Sequence, residues 1–571
     1  MKSNKKIPPT NAHLKLSLMR KKKSEIRSRG LFSRNRFRLV CSCKTNIVGL
    51  TFSFLNIISK CATMASKPTK TLCFLSILLV TIHNAASVKN VLLLLADDAG
   101  FEMGAYLNKY CQTPNLDALA KDGLLFNNAF TSVSSCSPSR AQLLTGQASH
   151  QNGMYGLHQG VHNFNVFKTV TSLPNILRAN GNVLTGIIGK KHVGAEGNFQ
   201  FDYEQTEENH SINQIGRNIT NIKLYVKDFL NRTQHEQKPF FLVVAFHDPH
   251  RCGHITPQYG EFCERYGSGE EGMGVIPDWR PIYYDWRNLK IPDWMPQTET
   301  VQKELAAQYM TISRLDQGVG VVLKELRSIG LDKDTLVMYT SDNGPPFPSG
   351  RANLYDRGVR EPMILSSPDS GKRRNQVTSA MTSLLDVFPT VLDVFGMKPS
   401  NPSLTGKSLL PLLDNEPQPN ENETIYGSQN FHEITMNYPM RMIRTRRYKL
   451  IHNLNFWSYF PIDQDLYTSP TFQEILNATM MKQKLPWVKT LQSYYKRPEW
   501  ELYDLKMDSL ERWNLATKAK FKDLLRNLKE RLFRWQVETS DPWRCSPHAV
   551  LQEQGIYKKN PVCLTLGHED L

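Results

Sequence analysis

The residues with the clearest chemical potential are Cys136 and Arg140, which stand at the two ends of the segment Cys-Ser-Pro-Ser-Arg. The apolar residues that begin at Ala141 predict that this segment is a loop leading into a helix. A helix N-terminus favours anions because its first N–H groups are free and its dipole is positive there. Arg140 adds a planar cation suited to sulfate or phosphate. The segment therefore predicts a site where a nucleophile meets an oxyanion ester.

Cys136 also has a structural interpretation. Six cysteines follow residue 87, and four of them form two pairs that are close in sequence and suited to local disulfides: Cys252 with Cys263, and Cys545 with Cys563. Cys111 and Cys136 remain. A disulfide between these two would make Cys136 a structural residue.

The net charge of +17 is concentrated at the N-terminus. Residues 1–63 carry fifteen Lys and Arg against one acid, residues 64–87 add two lysines, and the rest of the 571 residues has a net charge of only +1. Bulk charge therefore gives no argument for nucleic-acid binding. We interpret residues 1–63 as a basic extension that is disordered or not translated.

A secretory signal peptide is predicted at residues 64–87. A short basic lead follows Met64, residues 72–82 are apolar, and small residues occupy 85–87. The alternative is a membrane anchor that retains residues 72–82, whereas the signal peptide leaves no membrane span in the mature chain. Five sequons fit a glycoprotein of the secretory pathway: Asn209, Asn218, Asn231, Asn422 and Asn477.

Four apolar runs predict strands buried on both faces: residues 88–96, 183–188, 239–246 and 335–340. Open α/β sheets place their sites at the carboxyl ends of such strands. The polar residues that follow the four runs are Asp97 and Asp98, Lys190 and His192, His247 and His250, and Asp342 and Asn343. We expect these side chains to lie close together.

The acidic members of this set point to a metal. Two adjacent carboxylates, Asp97 and Asp98, at the end of a buried strand are costly unless a cation compensates them; a solvated turn is the alternative. With Asp342 and Asn343 they form an oxygen-only set, which suits a hard cation such as Ca²⁺. The chain has no Cys/His cluster with zinc spacing.

The residue pattern changes after residue 415. Short runs with aromatic residues predict a smaller antiparallel sheet at 424–427, 440–444, 448–453 and 500–504, with a helix at 521–535 packed on it. Two domains are therefore expected, one over residues 88–415 and a smaller one over residues 416–571.

The pattern C-x-P-S-R-x-x-x-x-T-G resembles the signature of the sulfatase family. It fixes six positions together: Cys136, Pro138, Ser139, Arg140, Thr145 and Gly146. The resemblance implies an α/β fold, the alkaline-phosphatase-like sandwich with a large mixed central sheet and a smaller C-terminal domain that holds an antiparallel sheet. It also implies that a formylglycine-generating enzyme converts Cys136 to formylglycine.

The resemblance assigns roles to the residues at the strand ends. Asp97, Asp98, Asp342 and Asn343 would hold one Ca²⁺ per subunit, with the modified Cys136 as a further ligand. Arg140 and Lys190 would stabilise the nucleophile and the sulfate, Arg351 would contact the sulfate, and His192 would assist the nucleophile. His250 would donate the proton to the leaving nitrogen. His247 would bind substrate or replace His250 as the donor.

Further segments resemble the subgroup of sulfatases that removes the N-linked sulfate of terminal glucosamine in heparan sulfate. They include HQNGMYGLHQ, VAFHDPHRCGH, HNLNF and PIDQD. This similarity implies an oligosaccharide substrate derived from heparan sulfate, delivery to the lysosome and a homodimer. Three alternatives remain: an O-sulfatase of the same fold, a phosphatase or phosphodiesterase, and a non-catalytic glycoprotein that binds sulfated glycans. The phosphatase is disfavoured because it needs a Ser or Thr nucleophile and usually zinc.

Overall fold

The computed structural model describes residues 88–565 apart from gaps at 181, 195–196, 211–213, 254–257, 399–403 and 421–422. The predicted extension and signal peptide, at residues 1–87, and the sequon at Asn422 lie outside the described residues. None of the described helices is long and apolar enough to cross a membrane.

The main body is a mixed sheet of nine strands. Its order is β4-β3-β5-β1-β6-β7-β2-β8, with β9 beside β2, and β7 runs antiparallel to both of its neighbours. The strands are β1 (Asn90–Ala96), β2 (Leu124–Phe130), β3 (Leu184–Gly189), β4 (Tyr203–Thr206), β5 (Phe240–Ala245), β6 (Thr335–Ser341), β7 (Arg360–Ser366), β8 (Gln376–Thr378) and β9 (Thr382–Ser383). The four predicted buried strands are thus confirmed as β1, β3, β5 and β6.

Helices cover both faces of this sheet because its central strands are apolar on both sides. In β1, Val91, Leu93 and Leu95 pack into one core, and the intervening residues pack into the other. The helices are α1 (Pro114–Lys121), α2 (Cys136–Thr145), α3 (Ser149–Asn152), α4 (Leu173–Ala179), α5 (Glu207–His210), α6 (Ile219–Glu236), α7 (Glu299–Ser328), α8 (Asp356–Val359), α9 (Val387–Val394), α10 (Gln464–Thr468), α11 (Pro470–Met480), α12 (Leu491–Tyr495) and α13 (Lys522–Glu538).

The predicted smaller antiparallel sheet is also confirmed. Its strands, in spatial order, are β10 (Thr424–Gln429), β11 (Met440–Thr445), β12 (Tyr448–Asn453) and β13 (Trp500–Asp504). Helix α13 packs on it through Leu528, Leu532 and Trp535. The hairpin of β14 (Ala549–Gln552) and β15 (Val562–Thr565) was not predicted. Both larger sheets lie within one compact unit, and the domain boundary at residue 415 stays a prediction.

The strand register brings the predicted site residues to one edge. Ala96 of β1 pairs with Ser341 of β6, and Gly189 of β3 pairs with Ala245 of β5. Four parallel strands therefore end at nearly the same level, and the chain after each of them enters the same space.

Candidate active site

Cys136 is the first residue of α2, with Ser135 as the N-cap. The sequence predicted a loop here, but the Cys-Ser-Pro-Ser-Arg segment already forms the first turns of the helix. Pro138 is tolerated there because the first N–H groups of a helix have no intrahelical partner. Cys136 and Cys111 are both buried free cysteines, so the disulfide between them is not formed in this structure.

The last two residues of the sulfatase signature, Thr145 and Gly146, form the C-terminal end of α2. Gly146 is the C-cap and has a φ of 67°, the left-handed conformation that favours glycine. A Cβ at this position would lie 2.9 Å from Leu404 and 3.0 Å from Phe388. The Thr145 hydroxyl donates to the Ala141 carbonyl at 2.7 Å and closes the last turn.

Arg140 and Lys190 are paired with carboxylates at the edge of the sheet. Lys190 Nζ donates to Asp97 Oδ2 at 2.5 Å. Arg140 Nε donates to Asp342 Oδ2 at 2.9 Å, and Arg140 Nη2 lies 3.2 Å from Asp97 Oδ1. Arg140 Nη1 also donates to the Lys190 carbonyl at 2.6 Å. These contacts fix two cations beside Cys136, in a region almost closed to solvent.

Arg351 reaches the same edge from the loop after β6. Its Nη1 donates to Asp98 Oδ2 at 2.6 Å, and its Nη2 donates to Asp463 and Asp465. Asn343 Nδ2 donates to Asp98 Oδ1 at 2.7 Å, and Cys136 Sγ is 4.0 Å from that oxygen. The arginine therefore links the main sheet to the N-cap and first turn of α10.

These ion pairs leave an excess of negative charge. They join five carboxylates to three cations: Asp97, Asp98, Asp342, Asp463 and Asp465 with Arg140, Lys190 and Arg351. Burial raises the pKa of Asp98 to about 8 and that of Asp342 to about 7. The buried oxygen Asn343 Oδ1 has no hydrogen-bond partner. When all five carboxylates are ionised, two negative charges are left without a partner, and together with the orphaned oxygen they fit a divalent cation.

The ligand atoms also fit a metal by position. One oxygen each of Asp97 and Asp342 and the sulfur of Cys136 lie within 4.8 Å of one another, and so do ligand atoms of Asp98, Cys136 and His250. The four oxygen residues predicted as calcium ligands are thus brought together around Cys136.

The three predicted histidines face the same cavity but have different partners. His247 Nδ1 lies 2.8 Å from Glu207 Oε1, and its Nε2 lies 3.7 Å from Asp97 Oδ2. His250 Nδ1 lies 2.7 Å from the Arg251 carbonyl, and its Nε2 lies 3.1 Å from Arg351 Nη1.

His192, the third, has a φ of 52° and contacts Gln159 through its Nε2. Its main-chain N–H donates to Glu208 at 2.6 Å. Burial, and after it the charge of Lys190, hold the pKa of His192 well below its usual value.

The cavity has a volume of about 510 Å³. All the residues predicted to act on substrate line it except Arg140, which is buried behind Lys190. The wall also contains residues that sequence reasoning missed: Gln159, Glu207, Glu208, Tyr259, His432, Glu433 and Asp465. The segments HQNGMYGLHQ and PIDQD were a signal for Gln159 and Asp465, but they were read only as marks of a subgroup.

The predicted disulfide cysteines and the described sequons do not line the cavity, except for Cys252. Disulfides join Cys252 to Cys263 and Cys545 to Cys563. Of the described sequons, Asn209, Asn231 and Asn477 are exposed, whereas Asn218 is half-buried and its side chain accepts the Asn221 N–H at the start of α6.

Comparisons with known proteins agree with this fold and site. The sulfatase family model matches residues 89–397, and a second model, described as N-sulphoglucosamine sulphohydrolase, C-terminal, matches residues 350–490. Human N-sulphoglucosamine sulphohydrolase is 56% identical over 504 residues, which cover 86% of this chain and 98% of the relative. An ulvan-active sulfatase of Formosa agariphila is 26% identical over 79% of this chain and 75% of its own length.

Two solved structures support the fold. A 2-O GAG sulfatase matches with a TM-score of 0.54 and 21% identity over 81% of this chain and 94% of the other. A protein solved in complex with its substrate D-glucosamine-2-N,6-O-disulfate matches with a TM-score of 0.55 and 20% identity over 80% of this chain and 98% of the other. At these identities the matches establish the architecture alone.

The chain belongs to the sulfatase family and is a hydrolase. Within that family, the chain matches human N-sulphoglucosamine sulphohydrolase over nearly the whole length of that protein. The resemblance found in the sequence, and the alkaline-phosphatase-like fold that it implied, are confirmed.

Proposed function

We propose that this enzyme is a sulfamidase that removes the N-linked sulfate of terminal N-sulfoglucosamine in heparan sulfate. The observation that carries the proposal is the 56% identity to human N-sulphoglucosamine sulphohydrolase over 98% of that protein. The cavity supports it, since about 510 Å³ lies within the range of small-molecule sites and is suited to one terminal sugar with its sulfate.

The proposal requires the conversion of Cys136 to formylglycine, whose hydrated aldehyde supplies the nucleophile. Burial raises the pKa of the Cys136 thiol well above its usual value, and the neighbouring carboxylates Asp97, Asp98 and Asp342 add to that rise. Little thiolate therefore forms, and the unmodified side chain is a poor nucleophile. This supports a modified residue rather than a cysteine as the reacting group.

Asp97, Asp98, Asp342 and Asn343 would hold Ca²⁺ in this enzyme. When bound, the ion supplies positive charge beside the sulfate oxygens. Lys190 and Arg140 add fixed cations that cost no reorganisation when negative charge grows on the sulfate. Arg351 lines the same cavity and adds a third fixed cation.

The leaving nitrogen needs a proton, because an amine is expelled poorly as its anion. Arginine only donates, so His250 Nε2 must accept from Arg351 Nη1 and carries its proton on Nδ1. His247 likewise donates from Nδ1, to Glu207, and its Nε2 lies 3.7 Å from Asp97 Oδ2. A neutral ring with its proton on Nδ1 has none on Nε2, so either histidine must be protonated before Nε2 can deliver a proton. His250 stays the proposed donor, and His247 is the alternative.

The proposal includes delivery through the secretory pathway to the lysosome, maturation by a formylglycine-generating enzyme, and a homodimer. The two disulfides and the exposed sequons support the secretory route. Similarity to the sulfatase family supports the maturation step.

Sulfate release by the purified glycoprotein, co-expressed with a formylglycine-generating enzyme, tests the function. The substrates are a terminal N-sulfoglucosaminide and a 6-O-sulfated glucosaminide without N-sulfate, and Cys136→Ala is the blank. Release from the N-sulfated sugar alone is expected. Release from the O-sulfated sugar alone would retain the family chemistry and overturn the substrate. The mass of the Cys136 peptide separates an unmodified enzyme from an inactive one.

A further inference from the structure

The loop after β10 brings a buried carboxylate to the wall of the cavity. Glu433 lines the cavity and is only 8% exposed. Its Oε1 accepts the main-chain N–H of Gln464 at 2.9 Å. In the described part of the chain, no group donates to its Oε2 and no cation pairs with the carboxylate. One oxygen of Glu433 is therefore left for a donor that enters the cavity.

The other carboxylates of the cavity wall are either paired or solvated. Glu207 contacts the ring of a histidine, and Asp465 pairs with Arg351. Glu208 is exposed to solvent. Glu433 differs from all three, because it is buried and its one hydrogen bond comes from the main chain. Burying an acceptor without a donor costs free energy, so this arrangement indicates that a ligand supplies the donor.

The loop that carries Glu433 is tied to the start of α2. His432 Nδ1 lies 2.8 Å from Ser135 Oγ, and Ser135 is the N-cap directly before Cys136. The His432 carbonyl accepts the Leu157 N–H at 2.8 Å, so the main chain of the loop is anchored as well. Glu433 therefore keeps a fixed position relative to Cys136, the proposed source of the nucleophile.

The first turn of α10 ties Glu433 to Arg351 as well. Asp463 and Asp465 both accept from Arg351 Nη2. Gln464, which lies between them in the chain, donates its N–H to Glu433. That N–H is available because the first N–H groups of a helix have no intrahelical partner. One helical turn thus holds the arginine proposed to contact the sulfate and a carboxylate with a free oxygen, so both can reach the same sugar.

We propose that Glu433 is a specificity-determining residue, which accepts a hydrogen bond from a hydroxyl group of the terminal sugar. This inference rests on the proposed function. Besides its sulfamate N–H, a terminal N-sulfoglucosamine offers the hydroxyls at C3, C4 and C6 as donors, and a carboxylate is a pure acceptor. A site built to bond a substrate hydroxyl rejects an analogue that lacks it, because the buried acceptor is then left unpaired.

The test combines variants of Glu433 with substrates that lack one hydroxyl. Glu433→Ala removes the acceptor, and Glu433→Gln keeps an oxygen for the Gln464 N–H. The substrates are the terminal N-sulfoglucosaminide and its 3-deoxy, 4-deoxy and 6-deoxy analogues. The measured quantities are kcat/KM for sulfate release and Tm, with full-length enzyme of equal formylglycine content. Glu474→Gln is the matched control, since Glu474 Oε2 also accepts one hydrogen bond, from Thr298 at 2.6 Å, and lies outside the cavity wall.

In the parent, one deoxy analogue should have a kcat/KM about 10 to 100-fold below that of the full sugar, the usual effect of losing a hydrogen bond to a charged group. Glu433→Ala should lower kcat/KM for the full sugar by a similar factor and for that analogue by less than about threefold. Glu433→Gln should fall between the parent and Glu433→Ala on the full sugar, and the control should match the parent.

An equal loss on the full sugar and all three analogues, or parent kcat/KM in Glu433→Ala, would overturn the inference. Should Glu433→Ala fail to fold, the same comparison in Glu433→Gln decides, and an equal loss or no loss across the four substrates would count against the role. The parent's choice between N-sulfated and O-sulfated sugar decides the proposed function separately, and the deoxy series is made on the sugar that it hydrolyses. The two failures are therefore distinguishable.

Discussion

Two buried clusters of arginine and aspartate are adjacent in space, since the Asp97 N–H donates to the Asp248 carbonyl at 3.2 Å. Asp248 accepts from Arg217 Nη1 and from Arg314, whose Nε donates at 2.7 Å and Nη2 at 2.8 Å. Both of its oxygens are satisfied, and two cations face one carboxylate. At the candidate active site the balance is opposite, since carboxylates outnumber cations and Asn343 Oδ1 is unpaired.

The comparison shows that burial of charge does not by itself mark a functional site. Asp248 follows a buried strand and stands between His247 and His250, so its sequence context is that of a catalytic residue. Its contacts are those of an anchor that joins α7 to the loop before α6. The negative charges of Asp98 and Asp342 are not fully balanced by cations, and this distinguishes the candidate active site from the Asp248 cluster.

The largest effect is expected at Cys136. Cys136→Ser should lower sulfate release by at least about 10³-fold, because the formylglycine precursor is lost. Folding should be unchanged, since the structure has no disulfide at this residue. Activity assay and Tm on the same preparation check this. A fall in secretion or Tm together with activity would favour a structural role.

The next effect concerns the excess carboxylates. Asp98→Asn should lower activity about 10²-fold or more. Loss of a residue that only hydrogen-bonds to a metal ligand already lowers metal affinity or activity about 10 to 100-fold, and Asp98 is predicted to be a ligand itself. In chelator at pH 7.5 its Tm should equal or exceed that of the parent, because the charged form of Asp98 is unfavourable when no cation is bound. A large loss of Tm in chelator would show that Asp98 is an anchor like Asp248.

The contrasting variant is Asp248→Asn. It leaves Arg217 and Arg314 buried without a carboxylate and should lower the free energy of unfolding by about 3–5 kcal/mol. The kcat of the folded fraction should remain within about threefold of the parent. Urea unfolding and active-site titration check the two parts. Loss of kcat at unchanged stability would place Asp248 in the chemistry.

A pH dependence of stability is also expected. Asp98 and Asp342, with pKa values of about 8 and about 7, bind protons more tightly in the folded chain than unfolded, where the pKa is about 3.9. Stability in chelator should therefore fall as the pH rises from about 4 to about 8. Scanning calorimetry at pH 5 and pH 8 checks this. The slope should be smaller in Asp98→Asn; an equal slope would contradict the assignment.

The site residues at the edge of the sheet could be predicted because each follows a local sequence pattern. A buried apolar run followed by polar residues can be recognised from consecutive residues alone. Strands β1, β3, β5 and β6 then bring the polar residues together. The smaller sheet and α13 followed from the same kind of pattern. The C-terminal hairpin β14–β15 is short and has no buried residue, so its sequence shows no clear alternation.

The remaining wall of the cavity could not be predicted in this way. Glu207 lies on a helix of four residues, and Asp463 and Asp465 reach Arg351 over more than a hundred positions of sequence. Such contacts arise from tertiary packing and leave no periodicity in the sequence. The role of Asp248 was hidden for the same reason, because Arg217 and Arg314 come from other elements.

Calcium binding tests the central claim most directly, which is that the excess charge at this edge forms a metal site. Calorimetric titration of chelator-treated, full-length enzyme with Ca²⁺ should show one ion per chain for the parent and for Asp248→Asn. Asp98→Asn should bind at least about tenfold more weakly. Equal calcium affinity in the parent and Asp98→Asn, or no binding to a folded parent, would contradict the account.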